Sequence, residues 1–494
     1  MKQALRSTIH MSCLIGALGL IGCSSGSDDS SVSGDNDGLD QFDSTGMPTA
    51  TLDDTVLIDL EGIWERRGYG NLYSYENNRT TWYTVTENTC LEVASFDGLI
   101  GLSADEVSQT RYALEGDELT IAFPGDLFVT QLQRQEEVPA RCDETLARDA
   151  QGMFDFVWET FDEYYAFFNL RNVDWAAEYA AQLPRVGAAI DDDDALFKLL
   201  ADLLSPIDDD RVILASPTDF FSPAVERGAL VELRSSFEAQ NEITDFQLFI
   251  DGVVDQFQQN IASKLDADSI NEQGPLTWGT AEAGSVGYLF ISSMDGYVVD
   301  ADGEQLDNVS FEDEVAAAIS AIDTVMTDLA DTSRLIIDVR INTGGYDAIA
   351  LEFARQFVSD RQLALSRTAR SRDFESSPVE AWIEPPADGA YLQPVTLIIG
   401  NDTASAAEFF VIPMQRLPQV TVIGENTAGV LSNFLFKPLP NGWEMGLSNE
   451  VYFDADGVSF ESVGVTPDTQ VSVFNVDEIQ AGMDAALDLA LSMP

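Results

Sequence analysis

The chain has 494 residues, which is too long for one simple core and predicts two or three domains. Its hydrophobic content of 45% is ample for globular packing, while 85 Asp and Glu against 25 Lys and Arg give a formal charge of −60. So acidic a surface repels nucleic acids and anionic lipid headgroups, which excludes both as electrostatic partners. The acidic residues are spread along the chain, and the short runs 191–194 and 208–210 predict solvated helix starts rather than metal sites. We expect no metal and no cofactor.

The N-terminus has the organisation of an export signal. Lys2 and Arg6 precede an apolar segment, residues 11–21, that is too short to span a bilayer as a mature helix. It ends in L-I-G-C, which resembles the lipobox of bacterial lipoproteins. The resemblance implies a signal peptide over 1–22, a lipid anchor on Cys23 and a location in the cell envelope, at the outer membrane of a Gram-negative cell. An ordinary secretory signal, with Cys23 as a spare thiol, is the alternative.

Residues 23–54 are rich in Ser, Gly and Asp and are predicted to form a flexible tether. Of the cysteines beyond Cys23, only Cys90 and Cys142 remain, and in an exported chain we predict a disulfide between them, with two buried thiols as the alternative. The one histidine, His10, lies in the signal, so the mature chain has none.

Three segments precede the main core. Short aromatic and β-branched runs between Gly, Asn and Asp turns predict a small β domain over 55–143. Apolar residues at spacings of three and four predict a helical region over 144–215, which ends in a strand over 207–214. Residues 216–282 are interpreted as a connector with one helix over 246–265.

From residue 283 to 475 apolar strands alternate with amphipathic helices across tight glycine turns, which predicts an α/β core, and residues 476–494 are predicted to form a C-terminal helix. Strands are predicted over 286–291, 335–339, 395–399 and 420–424, and a helix over 311–329.

Ser405 is placed at one strand-to-helix turn of this core. The apolar strand 395–399 precedes it, small residues flank it and a short apolar helix follows. Its hydroxyl would be exposed beside the first free N–H groups of a helix, where a nucleophilic serine is useful because those groups stabilise an oxyanion. A simple helix N-cap is the alternative.

Gly344 and Gly345 form a second turn of this kind, between the strand 335–339 and the next helix. Their N–H groups can point at a bound carbonyl oxygen, with the N–H of Ala406 as the second donor. A tight turn with no catalytic part is the alternative, because glycine is the usual residue there.

Five segments in order carry a family resemblance. They read D-V-R-I-N-T-G-G (338–345), T-A-S-A-A-E (403–408), G-E-N-T-A-G (424–429), L-P-N-G (439–442) and G-V-T-P-D (464–468). This resembles the tail-specific, or carboxyl-terminal-processing, serine peptidases. The resemblance implies a crotonase-like and Clp-protease-like β-β-α superhelix, with Ser405 as nucleophile and a helical cap like that of the tricorn-like branch.

The resemblance also says where a general base should stand. One branch places a lysine directly after the last glycine of G-E-x-T-x-G, where this chain has Val430. The tricorn-like branch uses a histidine at the position of Arg211, with an acidic partner at the position of Glu461. Valine takes no proton, and arginine stays protonated, so neither is a base.

Two other residues are candidates for that role. Lys437 is the nearby lysine, although a lone strand lysine is usually solvated. Asp210 is a poorer base, since Arg211 beside it should lower its pKa. Arg211 itself either binds a substrate carboxylate or forms a salt bridge with Glu461.

Three functions are compatible with these sequence features. The first is a membrane-tethered serine peptidase acting on exported or unfolded polypeptides. The second is an impaired homologue that binds peptides or apolar ligands on the same scaffold. The third is acyl-CoA chemistry, which the fold also hosts but which the export signal and the acidic composition oppose, because coenzyme A is cytoplasmic and anionic.

Overall fold

The computed structural model describes residues 50–51, 60–99, 110–123, 127–188, 192–240, 243–300, 305–306, 309–372, 374–387 and 389–494. The predicted signal peptide, Cys23 and most of the predicted tether lie outside these residues. In the described ranges, no helix has the length and apolar character needed to cross a membrane. The same ranges hold no group of three or more His, Cys, Asp or Glu side chains suited to a metal ion.

An antiparallel sheet of eight strands forms the N-terminal domain. The strands are β1 (Ala50–Thr51), β2 (Gly62–Arg66), β3 (Asn71–Glu76), β4 (Arg79–Val85), β5 (Cys90–Asp97), β6 (Arg111–Glu115), β7 (Glu118–Ala122) and β8 (Thr130–Gln135). They are hydrogen-bonded in the order β1-β6-β7-β8-β2-β3-β4-β5. A disulfide joins Cys90 on β5 to Cys142 in the 3-10 helix Ala140–Asp143, so the first of the two cysteine alternatives is the one observed.

Strand β1 lies within the residues predicted to be a tether. Ala50 pairs with Tyr112, and Thr51 with Arg111, at the edge of the sheet. The prediction is therefore wrong at its C-terminal end. Composition marks the segment as polar, but it does not show that a sheet edge offers unpaired N–H and C=O groups to a passing strand.

Three helices form the predicted helical region: α1 (Ala150–Tyr164), α2 (Trp175–Gln182) and α3 (Asp193–Leu204), with a 3-10 helix at Leu183–Ala188. An aspartate caps each helix; Asp192, from the acidic run 191–194, accepts the Ala195 N–H at 3.0 Å. The prediction that this run starts a helix is confirmed. The apolar faces pack around the buried side chains of Phe154, Phe161 and Leu200.

The strand predicted over 207–214 is only partly present. It is confined to β9 (Ile213–Ala215), because the preceding residues form a turn. The Asp209 carboxylate accepts the N–H of Arg211 at 2.9 Å, and its carbonyl accepts the N–H of Val212 at 3.1 Å. An aspartate that bonds the backbone two residues on competes with strand pairing, and the apolar pattern does not reveal this.

Strands and helices alternate through the rest of the chain. In order they are β10 (Phe220–Phe221), α4 (Gly228–Ala239), α5 (Phe246–Lys264), β11 (Asn271–Gln273), β12 (Leu276–Ala281), β13 (Val286–Ile291), α6 (Phe311–Asp328), β14 (Arg334–Asp338), α7 (Asp347–Ala354), β15 (Gln362–Ser371), β16 (Phe374–Glu375), β17 (Val379–Ile383), β18 (Val395–Ile399), α8 (Ala406–Met414), β19 (Val420–Gly424), β20 (Phe434–Pro438), β21 (Glu444–Ser448), β22 (Glu450–Phe453), β23 (Thr469–Gln470), α9 (Val476–Gln480) and α10 (Ala485–Ser492), with a 3-10 helix at Arg355–Phe357.

A seven-stranded sheet is the centre of the core, in the order β11-β12-β13-β14-β18-β19-β23. From β13 to β23 neighbouring strands are parallel. Side chains alternate between its faces: Leu397 packs in the cluster that contains α6, α7 and α8, whereas Ile398 packs in the cluster that contains α5 and α10. A sheet buried on both faces explains why its strands are continuous apolar runs, and the predicted α/β class is confirmed.

Two smaller sheets flank this centre. One has the order β10-β9-β21-β20 and joins the helical region to the C-terminal half; in the other, β15 pairs with β16, β17 and β22.

The predicted single C-terminal helix is wrong in detail, because α9 and α10 are separated at Gly482, whose φ of 79° suits glycine.

Candidate active site

The two glycine-containing turns meet because their strands are neighbours. Strands β14 and β18 are parallel and adjacent, so their carboxyl ends reach the same edge of the sheet. The turns are then tied together: the hydroxyl of Thr403 donates to the Val339 carbonyl at 2.8 Å, and the N–H of Ala404 donates to the Asn342 carbonyl at 3.1 Å. The next residue in the chain is Ser405.

Ser405 has a strained backbone, with φ 54° and ψ −126°. A non-glycine residue in this region costs about 1–3 kcal/mol and persists only where the surroundings impose it. Gly344 is one such constraint, because a Cβ there would stand 2.8 Å from the Cβ of Ser405. The turn therefore holds the half-buried serine against glycine backbone at the start of α8, which is not the extended backbone of an ordinary N-cap.

Glu408, in the first turn of α8, fixes the geometry beneath the serine. It is fully buried and accepts from the Ser405 N–H at 3.2 Å, the Thr427 hydroxyl at 2.6 Å, and the N–H groups of Gly429 and Val430 at 2.8 Å each. Burial raises its pKa, against these hydrogen bonds. Val430, at the lysine position of the relatives, thus contributes its backbone to this network.

The three N–H groups predicted as oxyanion donors are not equally free. The N–H of Gly344 donates to the Asn342 side-chain oxygen at 2.9 Å and is committed to holding the turn. The N–H of Gly345 has no acceptor among the described residues. Ala406 is the first residue of α8, so its N–H group has no partner carbonyl within the helix. Among the three, the N–H groups of Gly345 and Ala406 are therefore the ones left free to meet a bound oxygen.

Arg211 is brought to the serine. Its Nη2 donates to the Ser405 Oγ at 2.8 Å, and its Nε donates to the Ser432 carbonyl at 2.9 Å. The guanidinium also lies over the Phe434 ring, 4.7 Å from its centroid. These three contacts hold the cation in one orientation, directly on the hydroxyl.

Glu461 is close to the site but is not the partner of Arg211. Its Oε2 accepts the N–H groups of Leu431 and Ser432 at 2.9 and 3.0 Å, and its Oε1 lies 3.6 Å from Nη2 of Arg171. Burial, with repulsion from Asp209, raises its pKa to about 8. The salt bridge between Arg211 and Glu461, one of the two alternatives for Arg211, is not observed, since Arg171 lies between Glu461 and Asp209.

Asp210 and Lys437, the other two candidates for the general base, are in environments different from those predicted. Burial raises the pKa of Asp210 and outweighs the two cations that lower it, Arg227 2.8 Å away and, as expected, Arg211. Lys437 is fully buried, and its Nζ donates to the Gly70 carbonyl at 2.9 Å and the Asn71 side chain at 2.8 Å. It is neither solvated nor bonded to the serine.

A cavity of about 330 Å³ adjoins the site. Its wall includes Phe434, on which Arg211 stacks, and Tyr346 and Asp347, which directly follow the Gly345 turn. Burial raises the pKa of Asp347 to about 7, a hydrogen bond from Asn433 opposes the rise, and the charge of Arg211 opposes it further.

Several residues of this region were not identified from the sequence. Arg171, Asp209 and Asp347 lie on different elements, and no local pattern marks a role for them. A partial signal existed for Glu408, because a glutamate three residues after a serine is the pattern of a capping box. The others are brought to the site only by tertiary folding.

Comparison with known proteins identifies the architecture. Residues 285–471 match peptidase family S41, and residues 146–205 match the tricorn protease C1 domain. The chain carries an S41 peptidase domain. A similar protein is the carboxy-terminal-processing protease of Bartonella bacilliformis, 24% identical over 178 residues, which are 35% of this chain and 40% of that protein. This chain thus matches well under two thirds of that relative's length.

Among solved structures, this chain is similar to a candidate peptidase from Parabacteroides merdae, with a TM-score of 0.53 and 22% identity over 70% of this chain and 96% of that one. At this identity the likeness concerns the fold. It shows a shared fold over that 70% of this chain.

Proposed function

We propose that this protein is a serine peptidase that hydrolyses peptide bonds in exported or unfolded polypeptides, with Ser405 as the nucleophile. The observation that carries the proposal is the strained Ser405 turn, whose hydroxyl stands at a helix start against the glycine turn 344–345. Binding alone does not require a serine held at this energetic cost.

The chemistry follows the usual acyl transfer. The Ser405 Oγ bonds to the scissile carbonyl carbon as its proton leaves for a base, and the N–H groups of Gly345 and Ala406 receive the oxyanion. The carbon–nitrogen bond then breaks, the proton passes to the leaving amine, and water releases the acyl group by the same steps. One oxyanion donor is worth about 2.7–4 kcal/mol in such sites.

Arg211 acts on the serine as a cation. A guanidinium 2.8 Å from Oγ favours the alkoxide over the neutral hydroxyl, but it accepts no proton itself. No carboxylate of the described residues is hydrogen-bonded to the Ser405 hydroxyl. Asp347 follows the Gly345 turn on the cavity wall, and its pKa of about 7 suits a proton acceptor near neutral pH.

A fluorophosphonate probe on the purified mature chain tests the nucleophile, with Ser405→Ala as the control. We expect covalent labelling of the wild type alone, at a rate that rises as pH passes about 7, because a carboxylate accepts a proton only when it is ionised. Absence of labelling that depends on Ser405 would remove the peptidase proposal. A flat rate across this range would remove Asp347 from it.

A catalytically impaired binding protein is the second candidate. It is favoured by one observation, that a guanidinium and not a base occupies the lone pair of Ser405. Under this alternative the wild type is not labelled but still binds peptides in the cavity beside the site.

For location, we propose a lipid anchor on Cys23 in the cell envelope, at the outer membrane of a Gram-negative cell. The proposal is supported by Lys2 and Arg6, the short apolar segment 11–21 and the L-I-G-C sequence after it. Mass analysis of the N-terminal peptide from membrane-extracted protein tests it, and an unmodified Cys23 would contradict it.

A further inference from the structure

The peptide group between Gly344 and Gly345 carries one of the two proposed oxyanion donors, the Gly345 N–H. Its carbonyl, that of Gly344, accepts the Met294 N–H at 2.7 Å. The Ser293 hydroxyl is also 3.2 Å from this carbonyl, but it has a single proton and a nearer acceptor in Asp295. Because a trans peptide group is planar and its N–H and C=O point in opposite directions, the bond from Met294 to the carbonyl also sets the direction of the Gly345 N–H.

Met294 holds the glycine turn on two sides. Besides donating to Gly344, it accepts the Tyr346 N–H at its carbonyl, at 2.9 Å, and so forms a parallel bridge with Gly345. The two segments approach so closely that a Cβ on Gly345 would stand 2.4 Å from the carbonyl carbon of Met294. The orientation of the Met294 backbone is therefore passed directly to the turn.

A second peptide group, between Ser293 and Met294, lies in series with the first. Its N–H is the donor to Gly344, and its carbonyl accepts the Tyr297 hydroxyl at 2.9 Å. The series runs from the Tyr297 hydroxyl through two peptide groups to the open N–H of Gly345. Hydrogen bonds in such a series polarise one another, so each strengthens the donor at the far end.

Tyr297 is held firmly at the start of this series. Its side chain is buried and packs edge-on against Phe353 of α7, with ring centroids 5.6 Å apart. Its N–H donates to the Glu314 carboxylate of α6 at 2.6 Å, and the Val298 N–H donates to the same carboxylate at 3.2 Å. Burial, with the charges of Asp295 and Glu314, raises the pKa of Tyr297 well above its ordinary value, so its hydroxyl stays a donor.

We propose that Tyr297 is a positioning residue for oxyanion stabilisation. Its hydroxyl orients the Ser293–Met294 peptide group, and that group orients the Gly344–Gly345 peptide group, so that the Gly345 N–H faces the oxyanion formed at Ser405. The part concerning the oxyanion rests on the proposed peptidase function, whereas the hydrogen-bonded series is present without it.

The variant Tyr297→Phe removes the hydroxyl and keeps the ring. Tyr391→Phe is the matched control, because Tyr391 is buried in the same apolar cluster, packs edge-on against Phe357 and bonds through its hydroxyl to Thr332 at 2.9 Å. Each variant thus loses one buried hydrogen bond, but only the first belongs to the series.

The kinetics of fluorophosphonate labelling test the oxyanion part. The maximal rate constant of labelling is measured separately from the probe concentration that gives half of it. We expect Tyr297→Phe to lower the rate constant about fivefold, an effect in the range of one hydrogen bond. The half-saturating concentration should stay within about twofold, because charge develops on the phosphoryl oxygen only in the transition state. Tyr391→Phe should change neither quantity.

Hydrogen exchange followed by mass spectrometry tests the series without requiring activity. We expect the N–H groups of Met294 and Tyr346 to exchange at least about threefold faster in Tyr297→Phe than in the wild type, because local opening governs exchange. In Tyr391→Phe, which loses a bond elsewhere in the same cluster, exchange at these two positions should match the wild type.

Three outcomes overturn the role of Tyr297: unchanged exchange at Met294 and Tyr346, an unchanged rate constant in a protein that is labelled, or an equal loss of rate in Tyr391→Phe. The peptidase proposal fails separately, when the wild type is not labelled at Ser405. The exchange comparison then still decides whether Tyr297 fixes the glycine turn.

Discussion

The hydroxyl of Ser405 and the guanidinium of Arg211 are the central pair of the site, 2.8 Å apart. The cation stands where the tricorn-like relatives have a histidine, and the Asp209 turn that precedes it sets its approach. The acidic group Glu461 is present as well but is bonded to backbone N–H groups and faces Arg171. Ser405, the proposed nucleophile, and the buried acid Glu461 therefore stand on either side of a residue that cannot accept a proton.

Restoring a base at this position has a defined consequence. We expect Arg211→His to raise the rate of Ser405 labelling by the fluorophosphonate at least about tenfold, because a positioned general base contributes 10²–10⁴-fold. Stopped-time labelling followed by mass spectrometry measures the rate. Arg211→Gln is the control; it removes the cation without supplying a base and should give no increase. An unchanged rate in Arg211→His would show that this position does not receive the serine proton.

At the scale of elements, two buried glutamates hold one loop beside Ser405, one from α8 and the other from the segment between β22 and β23. Glu408 of α8 holds the loop at Gly429 and Val430, and Glu461 holds it at Leu431 and Ser432. The loop between β19 and β20 thus satisfies its inward N–H groups with carboxylates instead of strand pairing. Its shape, and with it the Ser432 carbonyl that orients Arg211, depends on both acids.

The raised pKa of Glu461 has a pH-dependent effect on stability. Its ordinary value of 4.5 rises to about 8 in the folded chain. The folded state therefore holds a proton that the unfolded state has lost between these values, and the free energy of unfolding falls as pH rises through the interval. One proton can change the free energy of unfolding by at most about 1.4 kcal/mol per pH unit. We expect the fall in this free energy between pH 5 and 8 to be smaller in Glu461→Gln than in the wild type by about 2 kcal/mol, which is within that limit.

Denaturant titrations at several pH values measure the difference. Glu115→Gln, at the exposed end of β6, is the control and should keep the slope of the wild type. A Glu461→Gln slope equal to that of the wild type would contradict the buried, protonated glutamate.

At the scale of the whole molecule, the β domain is bonded directly to the S41 domain. Lys437 of β20 donates to Gly70 and Asn71, and Tyr69 donates to Glu450 beside the cavity. The Asn449 side chain adds a bond to the Gly68 carbonyl at 2.8 Å. These buried polar contacts fix the β domain beside the site, which accords with a part in binding substrate rather than with a spacer.

The variant Lys437→Met tests whether these contacts hold the β domain against the S41 domain. Burial lowers the pKa of Lys437 well below the ordinary value, and its two acceptors lose their donor in the variant. We expect a loss of about 2 kcal/mol in the free energy of unfolding, within the range for buried groups left unpaired. Denaturation and protease cleavage between the β domain and α1 measure it. Lys198→Met, at an exposed surface pair, should change stability by less than about 0.5 kcal/mol; equal behaviour of the two variants would contradict the role of Lys437.

Local patterns in the sequence determined a large part of the architecture. The continuous apolar runs 395–399 and 420–424 coincide with β18 and β19, and the periodic segment 311–329 agrees with α6 within one residue. The glycine turn 344–345 and Ser405 follow from strand-to-helix patterns that act over a few residues. Such signals are local because burial on both faces of a sheet and helix periodicity are properties of short segments.

Tertiary structure alone decided the partners of the charged groups. Arg211 bonds Ser405 from 194 residues away, and Arg171 displaces it from Glu461. The burial of Lys437 likewise depends on neighbours that are distant in the chain. The pKa of Asp210 is raised because surrounding protein removes its carboxylate from water. Desolvation and hydrogen bonding set these charges, and neither is a property of a short stretch of sequence. The turn that holds Ser405 is therefore visible as a local pattern, whereas the groups that contact its hydroxyl are not.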